Sequence, residues 1–195
     1  LVVVEEVLVA RDVPPTRLGR FLAAIDDDYD YVLIDCAPGV SRVTRNAMCA
    51  ASRVLVTTTL EARSIAGMAS LNATVQDLAQ RYRPELRLLG IVPTIHDRRQ
   101  ASQNTRLAEL ERRFGMNLTV FGPIPRTARM SGEGGSARCV VETSTANPGA
   151  RAYLEIARRI DTLQGSNTSL HPDFAAEVAS ARYEEDEPRA LAATA

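Results

Sequence analysis

The chain has 195 residues, 45% of them hydrophobic and 24% charged, which is the composition of one globular domain large enough to bury a sizeable core. A net charge of −1 does not announce a nucleic-acid partner. No run of about 18 apolar residues offers a transmembrane helix, and no signal-peptide pattern opens the chain.

Three widely spaced cysteines, Cys36, Cys49 and Cys139, form no CxxC pair. With only His96 and His171 beside them, a zinc site is a poor fit, and a reducing cytoplasm is the simplest setting. All 23 basic residues are Arg; there is no Lys. A GC-rich genome explains that bias. Its consequence is chemical: a Walker-type P-loop needs a Lys to reach the β- and γ-phosphates, and this chain cannot supply one. The first residue is Leu rather than Met, which suggests a fragment or a non-standard start.

Residues 1–10, LVVVEEVLVA, read as a strand or its remnant. Pro14 and Pro15 open a helix with Leu18, Phe21, Leu22 and Ile25 at helical spacing. Asp26, Asp27 and Asp28 form a solvated turn rather than a metal cluster, because consecutive side chains do not converge. Tyr31, Val32, Leu33 and Ile34 then make an uninterrupted apolar run, ended by Asp35 and broken by Pro38 and Gly39. That pattern predicts a strand buried on both faces of a parallel sheet. Ligands of open α/β sheets bind beyond the carboxyl ends of the strands. Asp35 stands there, as a carboxylate for the water shell of a phosphate-bound Mg²⁺ or as a cap of the next turn.

A helix is expected over 41–51, with Val43, Ala47 and Ala50 on one face, and a strand over 53–58. The next helix, 64–82, has Ile65, Met68, Leu71, Val75 and Leu78 as its apolar stripe. A third strand covers 86–92 and ends at Pro93. The loop 94–100 gathers His96, Asp97, Arg98 and Arg99; no nucleophile stands in a defined relation to the His–Asp pair, so it is not read as catalytic. A helix over 103–114 ends at Gly115 in the usual C-terminal manner, and a fourth strand covers 117–121. A long loop, 122–140, holds Pro123, Pro125, Arg126, Arg129, Arg138 and the stretch SGEGG. Gly132, Gly134 and Gly135 sit in no strand-to-helix fingerprint. Asn147 and Pro148 start the last helix, with Tyr153, Ile156, Ala157 and Ile160 inward. From Gly165 the periodicity fades into a tail read as disordered. The alternation predicts a doubly wound α/β domain over 1–164, a mostly parallel sheet with helices on both faces.

The segment YDYVLIDCAPG resembles the Walker B strand of the ParA (Soj) chromosome- and plasmid-partitioning ATPases, usually an apolar run followed by Asp, Cys, Pro, Pro. The resemblance continues through NAMCAASRVLVTTTLEARSIAGM, reappears in GIVPTIHDRR (90–99) and again in IPRTARM (124–130). It covers roughly residues 28–160, in order and in spacing. It implies a P-loop NTPase-like fold, here N-terminally incomplete. In that family ATP sandwiches two subunits into a dimer, the dimer binds DNA without sequence preference, and a ParB-like protein stimulates hydrolysis. The resemblance implies that Asp35 acts through the magnesium's water shell. It places Pro93, Thr94, Pro125 and Arg126 where the family cradles adenine. It offers Arg98, Arg99, Arg126 and Arg129 for the DNA phosphate backbone, a role suited to arginine and sensitive to salt.

The departures are equally specific. The P-loop and the first acidic switch motif that precede the Walker B strand are not in this sequence, so the backbone nest and Lys that bind phosphates are not supplied. Ala37 replaces the first Pro, Ser52 a common Asp, Thr57 a Pro, and Gly132 and Gly134 the usual Glu and Pro. Without its first strand and helix the sheet would expose apolar edge surface. Three readings follow. One is the C-terminal part of a ParA-type ATPase, inactive alone, with ATP and Mg²⁺ as the family's cofactors, cytoplasmic and nucleoid-associated. The second is a non-catalytic regulator that pairs with a complete ParA subunit or with DNA. The third is an unrelated flavodoxin-like or receiver domain.

Overall fold

The computed structural model describes residues 14–25, 28–61, 67–127, 139–144 and 146–164. The expected strand 1–10, Asp26, Asp27, Ile65, Arg129, the SGEGG stretch and the tail lie outside the described residues. Three parallel strands, β1 (Arg53–Thr59), β2 (Arg87–Thr94) and β3 (Thr119–Val120), form a sheet in the order β1-β2-β3. Before it come α1 (Arg17–Leu22) and α2 (Arg42–Ala50). The crossovers are α3 (Met68–Arg81) and α4 (Ala101–Phe114). After the sheet come a short α5 (Val140–Thr143) and α6 (Pro148–Gln164). The arrangement is the doubly wound α/β fold that the alternation predicts.

Side chains alternate across the sheet and build two cores. On one face Val54, Val56, Leu88, Ile91 and Val120 pack with Cys49 of α2, Leu78 of α3, and Leu110 and Phe114 of α4. On the other, Leu55, Val92 and Phe121 pack under Ile156 and Ile160 of α6. Each fully buried Leu, Ile or Phe contributes about 1.5–3 kcal/mol of transfer free energy. One irregularity keeps this alternation in phase. Val54 pairs with Leu88 and Leu55 with Gly90, so Leu89 is an extra residue on β2. Gly90 is needed there because a Cβ would run into the Thr119 carbonyl and stand 2.6 Å from the Phe121 ring.

Caps follow from local chemistry. Ser41 Oγ accepts from Thr44 N at 3.2 Å and starts α2. Asn147 Oδ1 accepts from Gly149 N at 2.8 Å, with Pro148 at the first helical position, as the sequence predicts for α6.

Several expectations are corrected. The run Tyr31–Ile34 is not a buried strand. It pairs with no strand among the described residues, and Leu33 is 92% exposed. A strand is buried on both faces only when neighbours bond both its edges, and among the described residues neither edge has one. Of the apolar residues at helical spacing after Pro15, Phe21 and Ile25 are exposed, and the helix ends at Leu22. In α6, Ile156 and Ile160 are inward as expected, but Tyr153 and Ala157 face solvent; the inward stripe is completed by Ala152 and Leu163 instead. α2 buries Thr44, Asn46, Ala47, Met48 and Cys49 rather than one narrow face, because it packs against α1 and α3 as well as the sheet core. The fourth expected strand shortens to two residues. Gly115 ends α4, but in the right-handed region (φ −64°) rather than in a left-handed cap.

Candidate functional site

Two groups of predicted residues lie at different places in the structure. The first surrounds Asp35. Its carboxylate, exposed to solvent, stands on the wall of a cavity of about 680 Å³ between the 34–38 segment, α1 and α2. Arg17, Leu18, Phe21, Ser41 and Asn46 also line it. The turn beneath it is closed by Pro38 and by Gly39, whose φ of +96° favours glycine. Cys36 shares the wall; burial first, and then the Asp35 charge, push its thiol pKa up and keep it protonated.

The second group lies at the C-terminal end of β2. Pro93 is fully buried and opposite Thr58; its carbonyl accepts from Ile124 N at 2.8 Å. Thr94 is opposite Thr59, and its hydroxyl donates to the Thr58 carbonyl at 3.2 Å. The chain beyond β3 returns to this edge. His96 N donates to the Ile124 carbonyl and Arg126 N to the His96 carbonyl, both at 3.0 Å. These bonds frame Pro125 as an isolated parallel bridge to His96. Pro125 lacks an N–H, but the parallel pattern takes its bonds from residues 124 and 126, so the ring costs no hydrogen bond. Pro93, Thr94, Pro125 and Arg126 therefore converge on one edge of the sheet. None of the four lines the Asp35 cavity.

Of the arginines read as DNA contacts, Arg99 is engaged. Its guanidinium donates to both oxygens of Asp97, each at 3.1 Å, and its backbone N–H donates to Oδ1 at 3.0 Å. Those bonds hold the Asp97 carboxyl down at about 2. Arg98 and Arg126 are exposed. Asp97 faces Arg99 while His96 faces Asn104, so the two form no catalytic pair. His96 is the feature the sequence reading passed over: it is buried, 5% exposed, with an unpaired Nδ1. No periodic signal marks a lone buried His in a loop.

Comparisons with known proteins follow this geometry. The family described as "AAA domain" matches residues 1–88. The chromosome-partitioning ATPase Soj of Thermus thermophilus is 34% identical over 146 residues, 75% of this chain and 57% of that protein. The chromosome partitioning protein ParA of Caulobacter vibrioides is 32% identical over 146 residues, 74% of this chain and 54% of that one. The chain is a ParA/Soj relative. It spans less than two thirds of the length of either protein. A cobyrinic acid a,c-diamide synthase from Mycobacterium smegmatis, solved with bound ADP and magnesium, superimposes with a TM-score of 0.67 at 30% identity. That match covers 85% of this chain and 60% of that one.

Whether a nucleotide of this kind fits the ParA/Soj relative depends on the half considered. The base half fits: the converging 93–94 and 124–126 backbones make a wall, and two buried polar atoms beside it, His96 Nδ1 and Thr127 Oγ1, have no partner. The phosphate half does not. The chain has no Lys, Arg17 is the one basic residue on the cavity wall, and the Ser41 hydroxyl is already used as a helix cap. Among the described residues no group of three His, Cys, Asp or Glu side chains could hold a metal ion. Asp35 alone suits contact through a water shell. No described helix is long and apolar enough to cross a membrane.

Proposed function

We propose that this chain is the part of a ParA/Soj-like partitioning ATPase that follows the P-loop. The observation that carries the reading is the convergence of Pro93, Thr94, Pro125 and Arg126 on one sheet edge in a ParA/Soj relative. Those residues form the adenine cradle, and Asp35 acts on Mg²⁺ through its water shell. Phosphate binding comes from residues not in this sequence. Arg98, Arg126 and Arg129 contact the DNA phosphate backbone, and Arg99 joins them when Asp97 releases it. Such binding is blind to sequence and falls steeply with salt. A ParB-like protein stimulates hydrolysis, the working unit is a dimer, and the setting is the nucleoid-bearing cytoplasm. The ParA/Soj relationship leaves the flavodoxin-like reading without support.

One observation favours a second reading. Phe21 on the Asp35 cavity wall, and Tyr29 and Leu33 in the chain leading to it, are large apolar side chains left exposed. A regulator that pairs with a complete ParA-type subunit would use such side chains. The intact mass of the protein from its native cell separates the two. A mass above 21.2 kDa with a Lys-containing P-loop on the N-terminal side supports the ATPase. A mass of 21.2 kDa overturns it and leaves the regulator. The 195-residue chain by itself is expected to show no ATP turnover. Turnover that survives purification and disappears in Asp35→Ala would contradict the division of labour stated above.

A further inference from the structure

We propose that His96 is a positioning residue: its neutral ring, protonated on Nε2, straps the Pro125–Arg126 loop and the end of β2 to α4, setting the base wall of the nucleotide cradle. The role in nucleotide binding rests on the function proposed above; the strap itself does not.

The backbone of His96 makes both bonds of the bridge around Pro125, one of them from the N–H of Arg126. Its ring turns inward and Nε2 lies 3.0 Å from Asn104 Oδ1, near the start of α4. The Asn104 amide is oriented by a second bond, Nδ2 donating to the Arg98 carbonyl at 2.9 Å. Oδ1 is therefore the atom facing the ring. Because Oδ1 only accepts, Nε2 must carry a proton, and a second proton on the buried Nδ1 would have no acceptor. The opposite tautomer would set two lone pairs against each other and bury an N–H without an acceptor. Nδ1 is buried and unpartnered, which agrees with a ring held by one bond and by packing rather than by solvent.

The residue before it supports a functional constraint. Ile95 is β-branched and sits at φ +57°, in the left-handed region that such residues avoid. Its side chain is exposed, so packing of Ile95 does not compensate for that strain. The strained step is what turns His96 inward between the two loops. Strain of this sort persists where the surroundings over-determine the backbone, and it clusters at ligand clamps. Gln103 adds a second tie from α4, its Oε1 accepting from Asp97 N at 2.8 Å.

Three measurements test the strap. Imidazole ¹⁵N spectra of the unsubstituted chain should show the neutral Nε2–H tautomer; an Nδ1–H ring or an imidazolium at neutral pH overturns the proposal without any variant. His96→Phe keeps ring volume and removes the donor, and the Arg126 amide should then exchange at least tenfold faster while Ile91 in β2 is unchanged. His96→Gln places an amide donor where Nε2 was and should restore protection. No loss in His96→Phe means a merely space-filling ring and overturns the strap; equal loss in both variants means that the Nε2 donor is not what holds the loop and overturns it too. ADP is the probe for the cradle, titrated into the protein at its native length. His96→Phe should weaken ADP at least tenfold and His96→Gln should recover it. An unsubstituted protein that does not bind ADP sinks the nucleotide reading; one that binds ADP equally with His96→Phe sinks the positioning role alone.

Discussion

Asp97 and Arg99 are two residues apart in a loop, and their mutual geometry is bidentate, so one carboxylate is held in its charged form by three donated hydrogen bonds. The consequence for stability has a definite sign. The carboxyl titrates near 3.8 in an unperturbed chain and at about 2 here. Between those values the unfolded chain binds more protons than the native one. The contribution is therefore complete above about pH 4 and is lost as pH falls toward 2, over the interval set by those two titrations. Asp97→Asn should flatten the acid-unfolding profile across that interval. A profile that keeps its slope in the variant would show that another carboxylate is responsible. The guanidinium of Arg99 is 90% exposed, so the difference should shrink in about 1 M salt, where the screening length is roughly 3 Å.

Among the elements, α6 shows how an apolar pattern can be read in the right helix with only half of its inward residues placed: Ile156 and Ile160 are inward as expected, Tyr153 and Ala157 are not. Its start was legible because Asn147 and Pro148 are chemically suited to the first turn, and the structure uses both. Its inward face was legible only in part. Tyr153 and Ile156 are three apart and Ala157 and Ile160 likewise, so the sequence admits a stripe through either set. The sheet chooses Ala152, Ile156, Ile160 and Leu163, because Leu55, Val92 and Phe121 lie beneath them. Ile156→Ala should cost roughly 2–5 kcal/mol, the usual range for emptying a core position. Tyr153→Ala should stay within about 0.5 kcal/mol, as surface changes do. Denaturant midpoints measured side by side decide it, and equal losses would mean the face is assigned wrongly. That Pro93 and Pro125 lie together at the β2 end was expected for a different reason. Pro93 and Pro125 are strong local signals, and the resemblance placed both at the cradle. His96 carried no such signal, because its burial depends on Ile124, Arg126 and Asn104, the first two nearly 30 residues downstream.

At the scale of the molecule, the segment 31–36 runs between the two helix layers without belonging to the sheet. Tyr31 donates to Asp161 Oδ1 on α6 at 2.6 Å, while Ile34 lines the cavity against α1 and α2. The backbone is extended and apolar, yet β1 is the edge strand on that side of the described sheet. An extended apolar segment with no strand partner among the described residues is a template for association. Leu33→Asp in the 195-residue chain should change folding stability by no more than about 0.5 kcal/mol. The same substitution should reduce self-association measured by sedimentation. A stability loss of 2 kcal/mol or more, the scale of a core deletion, would show that Leu33 is buried in solution.

The sequence by itself determined the α/β class, the order along the chain of the parallel strands and crossover helices, the Asn147–Pro148 start of α6 and the ParA/Soj relationship. These depend on short-range chemistry: period, β-branching, proline, side-chain oxygens near helix starts, and motifs that keep their order. Tertiary structure alone decided that Tyr153 and Ala157 of α6 turn outward, that Tyr31, Val32 and Leu33 stand exposed, and that His96 joins two loops. Burial is not a property of a residue but of what lies opposite it. Tyr31–Ile34 has the composition of a central strand, and whether it is one depends on backbone partners that no local pattern can supply.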